Sequence, residues 1–337
     1  MSAKRKLAVG LSAAMVLAAA AVAGCGDDDK DTNSGDATQA PKIAYVTYLY
    51  ADYQQAEEAG LKKVVGPVGG SVRVYNANFD PQKLTQQCTD AVTSGRFNVI
   101  VLTPSVGPTG VPCVKAAKAA GIPVIAMELA VGKDPDNVAP QVDGVVGSVV
   151  TPQSPGGDTV AELVKGACAG KDPCNLITDT IPGDTFGEIT LAKVKAVPGV
   201  KIIQKINTNY DPAQMAKIAA DTFTRNKNAD VLMTLSDQQA LAAVPAIKAA
   251  GLTGKIKLIG AGGSRQGAAA IADGTMYGTG ATWPFQYGTT AGKMAIQAVN
   301  GDKVDPNAVD ANKIDTPLVV TKDNVSQFKP EWGAAAN

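Results

Sequence analysis

From Lys42 onward, short runs rich in Val and Ile alternate with Ala-rich amphipathic segments. KIAYVTY, starting at Lys42, reads as a strand and is followed by a helix through Gln54 to Val65. SVRVYNA, a helix through Leu84 to Val92, FNVIVLT, a helix near Cys113 to Ala120 and IPVIAM follow in turn. Strands that are apolar throughout, joined by helical crossovers, mark a parallel sheet covered on both faces, because a strand with one face in water would alternate apolar with polar. After a Gly/Pro-rich stretch, Thr151-Pro152-Gln153-Ser154-Pro155-Gly156-Gly157, the pattern starts again, with strands expected at NLIT, KIIQKI, ADVLMTL, KIKLIGA and MYGTGAT.

The two halves also match in detail. Asp80-Pro81 precedes a helix and then Val99 to Ser105; Asp211-Pro212 precedes a helix and then Asp230 to Ser236, each matched position being offset by 131. Lys118-Ala119-Ala120-Gly121 answers Lys248-Ala249-Ala250-Gly251 at an offset of 130. Constant offsets over such a span predict an α/β chain of two similar Rossmann-like lobes with parallel sheets. Asp-Pro by itself is a helix start, with Asp capping and Pro fitting the first turn, and carries no function.

The first forty residues follow another rule. Lys4, Arg5 and Lys6 precede an uncharged run from Leu7 to Gly24, the form of a secretory signal. It ends in Val22-Ala23-Gly24-Cys25, which resembles a bacterial lipobox, so residues 1–24 are expected to be removed and Cys25 to carry lipid. Residues 25–40 are polar and acidic at their start and cannot bury a core. A tether of about fifteen residues reaches roughly 20 Å as a random coil, which holds a folded body just off a membrane surface.

Removal of residues 1–24 leaves 28 Lys and Arg against 31 Asp and Glu. That balance argues against nucleic acid as a partner, since its affinity is dominated by phosphate neutralisation. With Cys25 assigned to lipid, Cys88, Cys113, Cys168 and Cys174 remain, and export permits disulfides in three connectivities. The short Cys168-to-Cys174 loop favours a local bridge, which leaves Cys88 with Cys113. Four cysteines without histidine or C-x-x-C spacing make a zinc site a poor reading, and no cofactor is expected.

Ligands of open parallel sheets bind beyond the carboxyl ends of the strands, so two facing lobes make a cleft walled by the segments just after them. Those segments run over 48–53, 103–105, 184–190, 236–238, 262–265 and 282–285, together with Glu128. The chain has no histidine, so the usual general base is missing and a Ser/His/Asp triad is excluded. Gly262-Gly263-Ser264-Arg265-Gln266 lacks the closing glycine of a nucleophile elbow, and no Walker lysine or dinucleotide fingerprint is complete. Aromatic residues are 5% of the chain, yet Tyr45, Tyr48, Tyr50 and Tyr53 crowd the end of the first strand and Trp283 and Phe285 follow the last. Ring faces beside Asp, Glu, Ser and Thr suit a sugar or polyol. Tyr45, inside its strand, is expected to pack; Tyr53 and Trp283 are expected in the cleft.

At these residues the chain resembles periplasmic sugar-binding proteins of ribose-binding type, the substrate-binding components of ABC importers. The resemblance runs from residue 42 to about 322 and rests on IAYVT with Glu58-Ala59-Gly60-Leu61, NVIVLTP, AAGIPVI, SDQQALA and AIADG. It implies a type I periplasmic binding fold with a three-segment hinge near 148–151, 282–284 and 310–317. The lobes would then be 41–150 plus 283–312 and 151–282 plus 313–332. It further implies stacking roles for Tyr53 and Tyr210, and hydrogen-bonding roles for Glu128, Ser236 and Asp237. Tyr48, Asp52, Ser105, Phe186, Thr190, Arg265, Thr282 and Trp283 complete the candidate set. The chain departs from the family where Leu129 and Thr190 stand in place of arginines, Gly262 in place of an Asp and Thr282 in place of a Gln. These departures point to a smaller or less hydroxylated ligand, or to one gripped by Arg265, which would suit an anion; Arg265 as a solvated first-turn residue is the plain alternative. The implied protein is no enzyme but an exported, lipid-anchored monomer that closes on a small polar ligand and then engages permease subunits, with presentation of the ligand to a membrane receptor as the alternative use of the same fold.

Overall fold

The computed structural model describes residues 39–304, 309–314 and 317–334. The signal segment 1–24, Cys25 and all but the end of the 25–40 tether lie outside the described residues. No helix among the described residues is long and apolar enough to cross a membrane.

In chain order the first half forms β1 (Lys42–Thr47), α1 (Asp52–Val65), β2 (Ser71–Asn76), α2 (Pro81–Thr93), β3 (Val99–Thr103), α3 (Val111–Ala119), β4 (Val124–Glu128) and β5 (Val145–Val150). The second half forms α4 (Gln153–Ala167), β6 (Cys174–Asp179), α5 (Thr185–Lys195), β7 (Val200–Ile206), α6 (Pro212–Arg225), β8 (Val231–Met233), α7 (Asp237–Ala249), β9 (Lys257–Gly262), α8 (Arg265–Asp273) and β10 (Gly278–Ala281). The chain then adds α9 (Pro284–Val299), β11 (Val309–Asp310) and β12 (Val319–Thr321).

Two six-stranded sheets result, ordered β11-β5-β4-β3-β1-β2 and β12-β10-β9-β8-β6-β7. All pairings are parallel except β10 with β12. The chain crosses between sheets after β5, after β10 and again between β11 and β12. The two short edge strands β11 and β12 had no clear apolar signature, because the two or three residues that close a sheet edge need no apolar run; β5, six residues reading VVGSVV, was not among the expected strands.

Alternate residues of one strand enter opposite cores. Ile125 and Met127 join Leu61, Tyr287 and Ala291 beneath α1 and α9, while Val124 and Ala126 join Leu84, Cys88 and Val114 beneath α2 and α3. That two-sided burial is why these strands read as unbroken apolar runs. Helices α1 and α9 touch backbone to backbone: a Cβ at Gly60 would lie 2.1 Å from the Phe285 carbonyl, and one at Gly288 would lie 2.0 Å from that of Glu57.

The duplicated sequence gives duplicated backbone. Asp80 accepts from the amides of Gln82 and Lys83 to cap α2, and Asp211 accepts from Ala213 to cap α6. Each helix is preceded by a pair of left-handed residues, Asn78 and Phe79 at φ 54° and 60°, and Asn209 and Tyr210 at φ 49° and 57°. Helices α2 and α6 begin at the proline in both halves, three residues ahead of Leu84, because proline needs no amide partner in a first turn.

Cys88 is bonded to Cys113 and Cys168 to Cys174, each with Cα atoms 5.5 Å apart. Closing a loop costs the unfolded chain more entropy the longer the loop. The Cys88–Cys113 bridge spans 25 residues against 6 for the other. Denaturant unfolding of the Cys88→Ser/Cys113→Ser variant is therefore expected to show a loss of about 3.5 kcal/mol, against about 2.2 kcal/mol for Cys168→Ser/Cys174→Ser. The reverse order would contradict a loop-entropy origin.

Candidate functional site

The carboxyl ends of the central strands of both sheets open onto one cavity of about 230 Å³. From the first lobe it receives Tyr48 after β1, Asp52, Tyr53 and Gln54 in the first turn of α1, and Glu128 at the end of β4. From the second come Asp184 and Phe186 at the start of α5, Tyr210 before α6, and Ser236 and Gln238 at the start of α7. Thr151, Gln153, Thr282 and Asn312 line it where the chain crosses between sheets.

Glu128 has φ +64°, a left-handed conformation that costs energy for a residue with a Cβ and that turns it off the strand. Its Oε1 accepts from the Tyr48 hydroxyl at 3.2 Å, and its carbonyl accepts from the Thr151 amide at 2.8 Å. Burial pushes its carboxyl up to about 8, against the downward pull of the Tyr48 bond. Glu57, fully buried in α1, accepts a hydrogen bond from the Tyr45 hydroxyl. Burial, and then the charge of Glu128, raise its carboxyl well above the usual range.

In the second lobe Asp184 caps α5 by accepting from the Gly187 amide at 3.0 Å, and it accepts from the Tyr210 hydroxyl at 2.9 Å. Burial raises it to about 6 despite those bonds. Thr282 donates to the Gly262 carbonyl at 3.0 Å, and Ser236 caps α7 through the Gln239 amide.

The lobes meet on both sides of the cavity. Phe79 and Tyr210, equivalent positions of the repeat, stack with planes 1° apart and centroids 6.0 Å apart. Thr185 Oγ1 donates to the Ser105 carbonyl at 3.3 Å, and the Ser154 amide to Asp136 at 2.7 Å. This is a shut cleft.

Tyr48, Asp52, Tyr53, Glu128, Phe186, Tyr210, Ser236 and Thr282 from the candidate set line the cavity. Five others do not. Trp283 is buried in the core against Phe328, because it caps α9 and its indole turns inward rather than into the cleft. Asp237 is fully buried beneath the floor, where it accepts from the Ser264 amide and hydroxyl and the Thr279 hydroxyl. Thr190 is buried within α5 and Ser105 at the lobe contact just described. Arg265 points outward; its guanidinium donates to the Gly333 and Glu331 carbonyls at 2.8 and 2.6 Å and fastens the C-terminal segment to α8. No base is left in the cleft to grip an anion: among the described lining residues there is no lysine or arginine.

The fastened segment supplies a residue the strand-end rule missed. Trp332 lines the cavity, donates its indole N–H to the Gly262 carbonyl at 2.6 Å and meets Tyr53 edge-on at 5.3 Å. Its only signal was an aromatic in a chain otherwise poor in them. Gln153 and Asn312 were missed because they sit on crossing segments, which carry no periodicity.

A family model described as a periplasmic binding protein domain matches residues 43–303. The chain is 26% identical over 127 residues to the D-allose-binding periplasmic protein of Escherichia coli (strain K12), a match that takes in 37% of this chain and only 41% of that protein. It is 22% identical over 307 residues to the xylitol-binding protein of Mycolicibacterium smegmatis, covering 89% of this chain and 82% of that one. An ABC transporter solute binding protein from Mycobacterium smegmatis with bound glycerol shares the fold with a TM-score of 0.72, over 89% of this chain and 100% of that chain at 22% identity.

Glu128, Asp184 and Asp237 all have raised carboxyls, the last also to about 6 through burial. The folded state therefore holds protons that the unfolded chain releases. Their contribution to stability is full below about pH 4, declines as pH rises through about 6 and is spent above about 8. Urea unfolding across that range should show stability falling with pH, and Glu128→Gln should flatten the decline above about pH 6. A rise in stability over the same interval would contradict the protonation scheme.

Proposed function

The chain belongs to the periplasmic binding protein family, and on that premise we propose that it is the extracytoplasmic solute-binding component of an ABC importer, which captures a sugar, polyol or similar small polar molecule by hinge closure. The observation that carries this reading is a single cavity walled by equivalent strand ends of two matching lobes, with aromatic faces and hydroxyl-binding groups from both. A guest touching Tyr48 and Glu128 on one side and Asp184 and Phe186 on the other favours the shut form by whatever it gains from the second wall. The crossings near 148–151, 282–284 and 310–317 are the hinge, and they divide the lobes as 41–150 plus 283–312 and 151–282 plus 313–332. Permease subunits would read the surface that the two lobes form only when together. Ligand binding, rather than chemistry, is the task of such a site.

The basic and apolar leader and the Cys25 sequence support export of the chain and lipid attachment at the outer face of the cytoplasmic membrane, with the body working as a monomer.

Thermal-shift screening of the purified protein against sugars, polyols, nucleosides and amino acids tests the central claim. At a ligand concentration 100 times Kd, stabilisation of about 2.7 kcal/mol is expected from mass action. A panel that moves the midpoint nowhere would overturn the reading. Closure has its own measurement: Phe79→Ala removes a stack worth about 1 kcal/mol and is expected to enlarge the ligand-free protein in solution scattering, with saturating ligand shrinking it again. Cys25→Ser is expected to move the protein from the membrane fraction to the soluble exported fraction.

A further inference from the structure

The polar groups facing the cavity are unevenly matched. Oε1 of Gln153 is a buried acceptor with no hydrogen-bond partner, while the Glu128 carboxyl has only the Tyr48 hydroxyl and the Gln54 side chain beside it. The Gln153 amide is oriented by its nitrogen, which donates to the Thr151 carbonyl, so it is the oxygen that remains free. The Thr151 amide donates to the Glu128 carbonyl, which holds these three residues together at one end of the cleft. Against them stands Nε2 of Gln238 as a buried, unpaired donor.

Charge is uneven in the same sense. Asp52, Glu128 and Asp184 line the cavity, and Glu57 is buried close enough to feel the charge of Glu128. None of the four forms an ion pair with a described lysine or arginine. Arg265, the one candidate base of the strand-end segments, is turned away to the C-terminal carbonyls. Burial without a counter-ion keeps Glu57 and Glu128 protonated, and a cation brought in by the guest lets Glu128 ionise against it. An ammonium group offers three donors and no acceptor, the complement of the free atoms here. The ring faces of Tyr48, Tyr53, Phe186, Tyr210 and Trp332 also favour a cation over an anion.

We propose that the guest of this cleft is a polyol or sugar bearing a protonated amine, with its ammonium seated against Glu128 and the amide oxygen of Gln153, and that carboxylated or phosphorylated analogues of the same skeleton are rejected. The proposal rests on the reading of the cleft as a small-solute site and narrows it to a charge class.

Isothermal titration calorimetry of the full chain near neutral pH, with matched triplets of probes, tests it. The triplets are glucose, glucosamine and glucuronate; xylitol, its terminal amine and xylonate; and myo-inositol, its amine and its phosphate. In at least one triplet the amine is expected to bind about tenfold or more tightly than the neutral member, with the acid undetectable. Glu128→Gln is expected to erase that advantage, bringing the amine's affinity down to within about threefold of the neutral member's in the same variant. A neutral or acidic member that binds as tightly as its amine overturns the charge assignment and leaves the solute-binding reading standing. Absence of binding by every member of every triplet overturns both. If Glu128→Gln fails to fold, the ranking within triplets on the unaltered chain decides the matter by itself.

Discussion

A parallel sheet covered by helices on both faces can meet solvent only at its strand ends. In this chain that constraint applies twice. Ile125 and Met127 face one core while Val124 and Ala126 face the other, so no side of β4 is available for binding until the chain leaves it at Glu128. The same holds for β8, which leads to Ser236, and for β9, which ends at Gly262. Whatever the protein binds has to be met by residues at these exits, and the two sets of exits face each other.

The second consequence of duplication is at the rim. Phe79 and Tyr210 occupy the same place in the repeat, adopt the same left-handed backbone and stack on one another. A bend needed in each lobe to start the following helix thereby also brings two rings together when the lobes shut. The Tyr210 hydroxyl bonds Asp184, so the ring that forms the latch also orients a carboxylate of the wall. The lobe contact and the wall of the cavity are in this way joined through one side chain.

The cleft is built of aromatic faces and acids without bases. Where the family resemblance places arginines, Leu129 and Thr190 stand, the one lining the cavity and the other withdrawn into α5. The protein meets the cost of burying acid by keeping Glu57 and Glu128 protonated far above their usual range and by dividing Asp184 among two donors.

The alternation of apolar strands and amphipathic helices was enough to read the α/β class, the doubling and the strand exits, because two-sided burial and chain reversal are local demands written in neighbouring residues. The short Cys168-to-Cys174 loop and the Asp-Pro helix starts are legible for the same reason. What each exit residue does was not legible. Asp237 and Trp283 sit at strand exits by number, yet one is sealed under Ser264 and Thr279 and the other packs on Phe328. Arg265, a cleft candidate, fastens the C-terminal segment outside, and Trp332, to which the strand-end rule gave no role, reaches the cavity. Those assignments depend on contacts between residues far apart in the chain, Gly262 with Trp332 and Tyr53 with Trp332 among them, and only the packed chain brings such residues together.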